Sequence, residues 1–245
     1  MRKLHFTLGD KGGIGKSFVA ALMAQYLIDT FVGVKPICID MDMKNKTLSR
    51  YSELDVQLID VRTEGDIDRS KFDILINRID RAAEDDVIIV DVGGNVYVSM
   101  TDYMRVNEVY EMIMDRGVEV ILHVPIVGGG DMFPTLKTLD EVVANTPSDV
   151  MVAVWINQKN GKVEYEGKSF EESDRYSDYR ERIRNVTYIP LWRPDMQINV
   201  AAMLEEAVTF EQAIHMDMFD LMSKQRLTMA RRYLYGSIET SGVCL

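Results

Sequence analysis

The sequence predicts an α/β fold, a mostly parallel, doubly wound sheet with helices on both faces. Three observations lead there. Short apolar runs recur along the chain, and they are continuous rather than alternating, as strands covered on both faces require. Helical patterns separate these runs, the order that a parallel sheet with crossover helices imposes. A glycine-rich turn, LGDKGGIGKSF at residues 8–18, joins the first strand pattern to the first helical one.

Lys3 to Leu8 reads as a short strand. KSFVAALMAQYLIDTF reads as a helix, with Phe18, Leu22, Tyr26 and Leu27 near one face and Gly33 after its end. VKPICID is a second buried strand, with Asp40 and Asp42 at its exit. DVIIVDVGG is the clearest strand signal, an unbroken branched apolar run closed by Asp91 and Gly93-Gly94. VEVILHVPIV and VMVAVWIN supply two more. Gln158 to Asn185 is the most polar stretch, and its charges alternate in sign, which reads as a solvated excursion. An amphipathic helix is expected over 217–238. Met218, Met222, Met229 and Tyr233 share one face of it, and Lys224, Arg231 and Arg232 lie roughly opposite. No linker, internal repeat or low-complexity tract divides the chain, so residues 1–245 are expected to form one domain.

Composition narrows the function classes. Hydrophobic residues make up 47% of the chain, which excludes disorder and supports a packed interior. The formal net charge of -11 argues against strong unaided nucleic-acid binding, although a local basic face is compatible with DNA contact. Cys38 and Cys244 are the only cysteines, which excludes a disulfide scaffold and fits a reducing compartment. No apolar run reaches the length of a membrane span, and the one behind the basic tip is too short for a secretory signal. The expected location is the cytoplasm. His5, His123 and His215 lack metal-ligand spacing and read as structural.

A strand, a glycine turn and a helix in that order make a phosphate site. The N–H groups of the turn point inward, and the helix N-terminus adds partial positive charge. In this reading Lys16 reaches the outer phosphates and Ser17 ligates Mg²⁺. The strict form of the motif wants glycine where Asp10 stands. What remains is KGGxGK followed by a hydroxyl: Lys11, Gly12, Gly13, Gly15, Lys16 and Ser17. Phosphate neutralisation explains the lysine at the end of the turn, but not the one at its start.

This deviant loop resembles that of the ParA/MinD superfamily of dimerising ATPases. The resemblance implies a P-loop NTPase fold, ATP and Mg²⁺ as ligands, and a homodimer. In that dimer Lys11 reaches across the interface to the nucleotide held by the other subunit. The resemblance also implies nucleotide contact along the loop, by Lys11, Gly12, Gly13, Ile14, Gly15, Lys16, Ser17 and Phe18. IDMDMKN resembles the first switch, in which Asp42 orients the attacking water and Asp40 lies near the metal. VIIVDVGG resembles the second switch, with Asp91 holding the magnesium shell through water. Asn157 corresponds to the asparagine that hydrogen-bonds the base, and Pro190, Leu191, Trp192 and Arg193 to the base-contact loop. The residues by themselves leave alternatives: Asp40 and Asp42 also fit helix caps, and Pro190 also fits a plain strand end. Two positions depart from the family: Phe18 replaces a second hydroxyl, and Asp10 puts negative charge at the lip of a phosphate site.

EYEGKSFEESDRY, LEEAVTFEQAI and SKQRLTMARRYL resemble segments of a plasmid branch, the TraL/StbB-type proteins of transfer and stability regions. That resemblance spans essentially the whole chain. It implies a bacterial cytoplasmic ATPase switch in plasmid stability, partition and conjugative DNA transfer. A plasmid-encoded DNA-binding adaptor is the implied partner, with DNA contacted through it. Two other readings share the loop. A MinD-like positioning ATPase would set its C-terminal helix on a membrane; that helix equally fits packing on the sheet with a basic outer face, or DNA contact. A nucleotide-dependent scaffold with negligible hydrolysis would have nearly the same sequence. A nitrogenase-type reductase shares KGGIGKS but needs cysteines after its switches for an iron–sulfur cluster, and DVGGN has none.

Overall fold

The computed structural model of the protein describes residues 2–244. The chain runs through β1 (Arg2–Thr7), α1 (Lys16–Thr30), β2 (Ile37–Asp40), β3 (Gln57–Leu58) and a small hairpin of β4 (Arg62–Thr63) and β5 (Asp66–Ile67). Next come α2 (Phe72–Asp80), β6 (Val87–Asp91), α3 (Gly94–Val106), α4 (Val109–Met114), β7 (Val118–Val127), α5 (Met132–Ala144) and β8 (Met151–Asn157). A second hairpin, β9 (Glu164–Tyr165) and β10 (Lys168–Ser169), leads to α6 (Asp174–Asp178) and β11 (Ile183–Ile189). The helices α7 (Pro194–Glu205), α8 (Phe210–His215) and α9 (Leu221–Ser241) close the sequence of elements.

Seven strands pair in the order β11-β8-β7-β1-β6-β2-β3, and every pair is parallel. The expected doubly wound sheet is therefore present. Its apolar runs are continuous because both faces are covered: in β7 all residues but Glu119 are buried. Leu4, Phe6, Ile88, Val90, Leu122 and Val154 face one core with residues of α2 to α5. Ile89, Ile121, Ala153 and Trp155 face the other, with α1 and α7 to α9. Burying one such Leu, Ile or Phe contributes about 1.5–3 kcal/mol. After β1 the chain crosses β6 to reach β2 on one side, and after β6 it crosses back over β1 to reach β7 on the other. The loop after β1 thus stands at the switch point of the sheet, where such folds open a crevice.

The structure corrects three expectations. First, α1 does not have one apolar face. Phe18 is half-buried, while Val19 to Leu27 are all buried, because α8 and α9 pack outside the helix. Tyr26 meets Tyr235 edge-on at 5.4 Å, Gln25 Oε1 accepts from Phe210 N at 2.8 Å, and Asp29 accepts from Arg231 at 2.9 Å. Second, the terminal helix spans Leu221–Ser241, not 217–238. Asp220 caps its start through Ser223 N at 2.7 Å, and Gly242 ends it in the left-handed region at φ 66°. Its buried face is Ser223, Leu227, Ala230, Leu234 and Ile238, so Met218, Met222, Met229 and Tyr233 are exposed.

Third, the polar stretch of 158–185 ends earlier, since β11 begins at Ile183, and it is docked rather than merely solvated. Val163 and Phe170 are buried. Arg175 pairs with Asp140 of α5 at 2.7 Å, Tyr179 Oη donates to the same carboxylate at 3.0 Å, and Arg182 donates to the Val150 carbonyl. The histidines at β1 and β7 are structural. Trp155 Nε1 donates to His123 Nδ1 at 2.9 Å, so the proton of neutral His123 sits on Nε2, which donates to His5 Nδ1 at 2.8 Å. Burial holds the His5 imidazole down to about 3. Among the described residues no helix is long and apolar enough to cross a membrane.

Candidate functional site

The loop between β1 and α1 is built by close approach. Gly15 has φ 104°, and a Cβ there would lie 2.8 Å from Asn157 Nδ2. A Cβ on Gly94, at the start of α3, would overlap the Asp10 carbonyl oxygen. Glycine at both positions lets the loop sit between the ends of β8 and β6. No side chain caps α1, and its first turn carries no acid. Its first internal bond runs from Val19 N to Gly15 O at 2.9 Å, so the N–H groups ahead of it face outward as an anion site.

A cavity of about 720 Å³ opens at this point, within the usual size range for small-molecule sites. Its polar end is made by Gly12, Gly13, Gly15, Lys16 and Ser17, with Asp42, Asn45, Asn95 and Lys159 around them. Its apolar wall is made by Ile189, Trp192, Val200, Ala201 and Leu204, with Phe18 and Tyr51 also lining it. A ligand with phosphates at one end and a flat apolar ring at the other matches this division.

Lys16 is only 7% exposed, and its Nζ donates to the Lys11 carbonyl at 2.7 Å. Burial lowers its pKa, while the charges of Asp91, Asp42 and Asp10 oppose that shift. Asp91 is 1% exposed. Thr7 Oγ1 donates to its Oδ1 at 2.8 Å, and its Oδ2 has no partner among the described residues. Burial pushes this carboxyl up to about 6, with the Asp40 charge adding and hydrogen bonds from Ser17 and Thr7 opposing. Asp40 is fully buried, and its oxygens accept from Asp42 N at 2.8 Å and Ser49 N at 2.9 Å. Burial raises its pKa too.

Asp42 lines the cavity, yet its carboxylate is engaged in its own turn. Oδ1 accepts from Lys44 N and Asn45 N, both at 3.1 Å, and Oδ2 from Asn45 Nδ2 at 2.9 Å. Lys11 and Ile14 are not on the cavity wall. Lys11 turns outward to Asp131 at 2.7 Å, which holds that carboxyl below its usual range, and Ile14 is buried beneath the loop. The Asp10 side chain points at α5, where Oδ1 accepts from Thr138 Oγ1 at 3.1 Å. Asp10 also lines the cavity, and its charge acts on Lys16.

Of the four residues after β11, Trp192 alone reaches the cavity, stacked edge-on with Tyr233 at 5.7 Å. Leu191 is exposed and Arg193 sits at the N-cap of α7, while Pro190 follows the strand end off the wall. Asn157 lines the cavity, and its amide is bonded to the loop. Sequence reasoning missed Lys159, hidden in an alternating charge run. It also missed Gln197, Val200, Ala201 and Leu204, whose spacing on α7 is a helical-face signal that was available.

Magnesium fits the donors present. No group of three His, Cys, Asp or Glu side chains suited to a metal occurs among the described residues. Mg²⁺ needs fewer, since it takes one or two carboxylates and completes its shell with water and phosphate oxygens. The buried, unpartnered Asp91 Oδ2, with Ser17 beside it, supplies that kind of oxygen set.

A glycine-rich loop from β1 to α1, at the switch point of a parallel sheet, defines a P-loop NTPase fold. No model of a protein family matches the chain. The chain belongs to the TraL family: two curated TraL proteins of Escherichia coli are 32% and 33% identical to it over 244 residues, covering 99% of this chain and 100% of each relative. Similar solved structures include the MinC:MinD cell division complex of Aquifex aeolicus, at TM-score 0.49 and 15% identity, covering 96% of both chains. A plasmid partition protein of Borrelia burgdorferi matches at TM-score 0.47 and 12% identity, covering 87% of this chain and 100% of that one. Values this low describe a shared course of the chain and nothing finer.

Proposed function

We propose that the protein is a Mg²⁺-dependent ATPase switch of the bacterial cytoplasm. ATP favours its homodimer and hydrolysis releases it, in the service of plasmid maintenance and conjugative transfer. The observation that carries this reading is one cavity joining the bare N-terminus of α1, Lys16 and Ser17 to an apolar wall at Trp192. The family supports the plasmid setting. The partner is a plasmid-encoded DNA-binding adaptor, and the protein meets DNA mainly through it.

The loop N–H groups and Lys16 bind the triphosphate, and Trp192 and the α7 face cover the base. Ser17 and Asp91 would hold Mg²⁺, directly or through water, with Asp40 adding charge behind them; the ion draws electrons from the phosphoryl oxygens when bound. Asp42 orients a water against the terminal phosphorus, whose bond to the bridging oxygen breaks as the new oxygen bond forms. Lys11 acts on the partner's nucleotide, and must leave Asp131 to do so. Charge on two facing triphosphates is then compensated only in the closed dimer.

A second reading has its own observation. The three hydrogen bonds that tie Asp42 into its turn favour a scaffold that binds ATP and scarcely hydrolyses it. ATP turnover by the purified protein, with and without plasmid DNA and the neighbouring plasmid gene products, separates the two. Stimulated turnover supports the switch, and nucleotide binding without turnover under any condition supports the scaffold.

A further inference from the structure

We infer that Asn157 and Lys159 clamp the phosphate loop, so that both residues position the loop for phosphate. This rests on the nucleotide-binding reading above and adds to it how the loop is held. Asn157 is 3% exposed, and each end of its amide has one partner that ties it to the loop or to its own strand end. Nδ2 donates to the Ile14 carbonyl at 3.0 Å, and Oδ1 accepts from Lys159 N at 3.2 Å. Lys159 Nζ in turn donates to the Gly13 carbonyl. Two consecutive carbonyls of the loop are therefore held from the end of one strand.

The consequence follows from peptide geometry. In a planar trans peptide the C=O and the next residue's N–H point in opposite directions. Drawing the Gly13 carbonyl toward Lys159 turns the Ile14 N–H away from it. Drawing the Ile14 carbonyl toward Asn157 does the same to the Gly15 N–H. Those are donors that a bound phosphate needs, and the clamp fixes their direction before phosphate arrives. A loop left free would have to order its peptides on binding, at a cost in affinity.

The frame behind the clamp is tight. β8 is separated from β1 by β7, so the clamp ties the loop to a second, distant strand end. Gly128 N donates to the Asn157 carbonyl at 3.2 Å, and a Cβ on Gly128 would overlap the Gly161 carbonyl oxygen. Gly15 at φ 104° allows the loop to lie against the Asn157 amide. The base has its own place on the apolar wall of the cavity, at Trp192, Val200 and Leu204.

Calorimetric titration of the full chain with inorganic tripolyphosphate, ATP and GTP, all with Mg²⁺, tests this, because tripolyphosphate has no base. Asn157→Ala and Lys159→Ala should each weaken tripolyphosphate and ATP by the same factor, roughly three- to tenfold, the equivalent of one lost hydrogen bond. In Lys159→Ala the ratio of ATP to GTP affinity should stay at the wild-type value. Lys159→Arg, which keeps a donor, should recover most of the loss. An Asn157→Ala protein that binds tripolyphosphate like wild type but loses its preference between ATP and GTP overturns the clamp. Lys159 is exposed, so if Asn157→Ala fails to fold, as its melting curve would reveal, Lys159→Ala decides alone; wild-type tripolyphosphate affinity in it overturns the proposal. Wild-type protein that binds ATP but not tripolyphosphate also overturns it. Wild-type protein that binds none of the three removes the nucleotide reading itself, and the clamp with it.

Discussion

Replacing Asp91 by Asn should make the fold more stable while disabling the site. The carboxyl is 1% exposed, and burial pushes its pKa from its ordinary value of 3.8 up to about 6. A raised folded-state pKa means that the folded protein holds this proton more tightly than the unfolded chain does. Below pH 3.8 both states are protonated and the group costs nothing. The cost grows as pH rises from 3.8 to 6 and is complete above 6. About two pKa units correspond to about 3 kcal/mol at pH 7. Asn has the same shape, keeps an oxygen for the Thr7 hydroxyl and has no charge to bury. Asp91→Asn should therefore melt about 6–12 °C higher than wild type at pH 7 without magnesium, taking the shift per kcal/mol usual for a chain of this size. The gain should shrink toward zero near pH 4. Thermal unfolding of both proteins across pH 4–8 is the assay, and Mg²⁺-dependent ATP binding should be lost in the variant. A variant less stable than wild type at pH 7, or a difference that does not change with pH, refutes the argument that burial of this charge outweighs the Thr7, Ser17 and Lys16 contacts that offset it.

Three further outcomes are expected. Lys16→Ala should abolish binding of a labelled ATP analogue, since this ammonium is the main side-chain charge at the loop; wild-type affinity would remove the loop from the account. Gly94→Ala should lower nucleotide affinity and cost about 1–3 kcal/mol of stability, because its Cβ would overlap the backbone oxygen of Asp10, which cannot swing away as a side chain can. Unfolding in urea beside the same binding measurement checks both effects. Asp42→Ala should keep ATP binding, lose about 1 kcal/mol of stability with its turn cap, and turn ATP over more slowly. Hydrolysis at the wild-type rate would leave Asp42 as a cap alone.

Much of the sheet was legible because burial on both faces writes itself as apolar runs, unbroken in Val87 to Val90 and Val150 to Ile156 and interrupted only by Glu119 and His123 in Val118 to Val127. The loop was legible for a similar reason, since glycines and two lysines in sequence have few other uses. The burial of α1 was not. Whether Ala20 or Ala24 faces water depends on α8 and α9, which lie far along the chain. The same holds for α9, where Leu227, Ala230 and Leu234 give a face as regular as that of Met222, Met229 and Tyr233, and only packing selects between them. Lys11 and Asp131, or Lys159 and Gly13, are pairings across the fold that no local pattern announces.

The central claim is that ATP closes a dimer through Lys11. Sedimentation of Asp42→Ala and of the Lys11→Ala/Asp42→Ala double variant, each with saturating ATP and Mg²⁺, measures it most directly. Each charge-assisted contact across the interface is worth roughly 1.5–3 kcal/mol, so losing two per dimer should weaken association by about two to four orders of magnitude. The single variant should sediment as a dimer and the double variant as a monomer, with nucleotide bound in both. A double variant that dimerises as well as the single one, with ATP bound, would leave Lys11 as the surface partner of Asp131 and contradict the account.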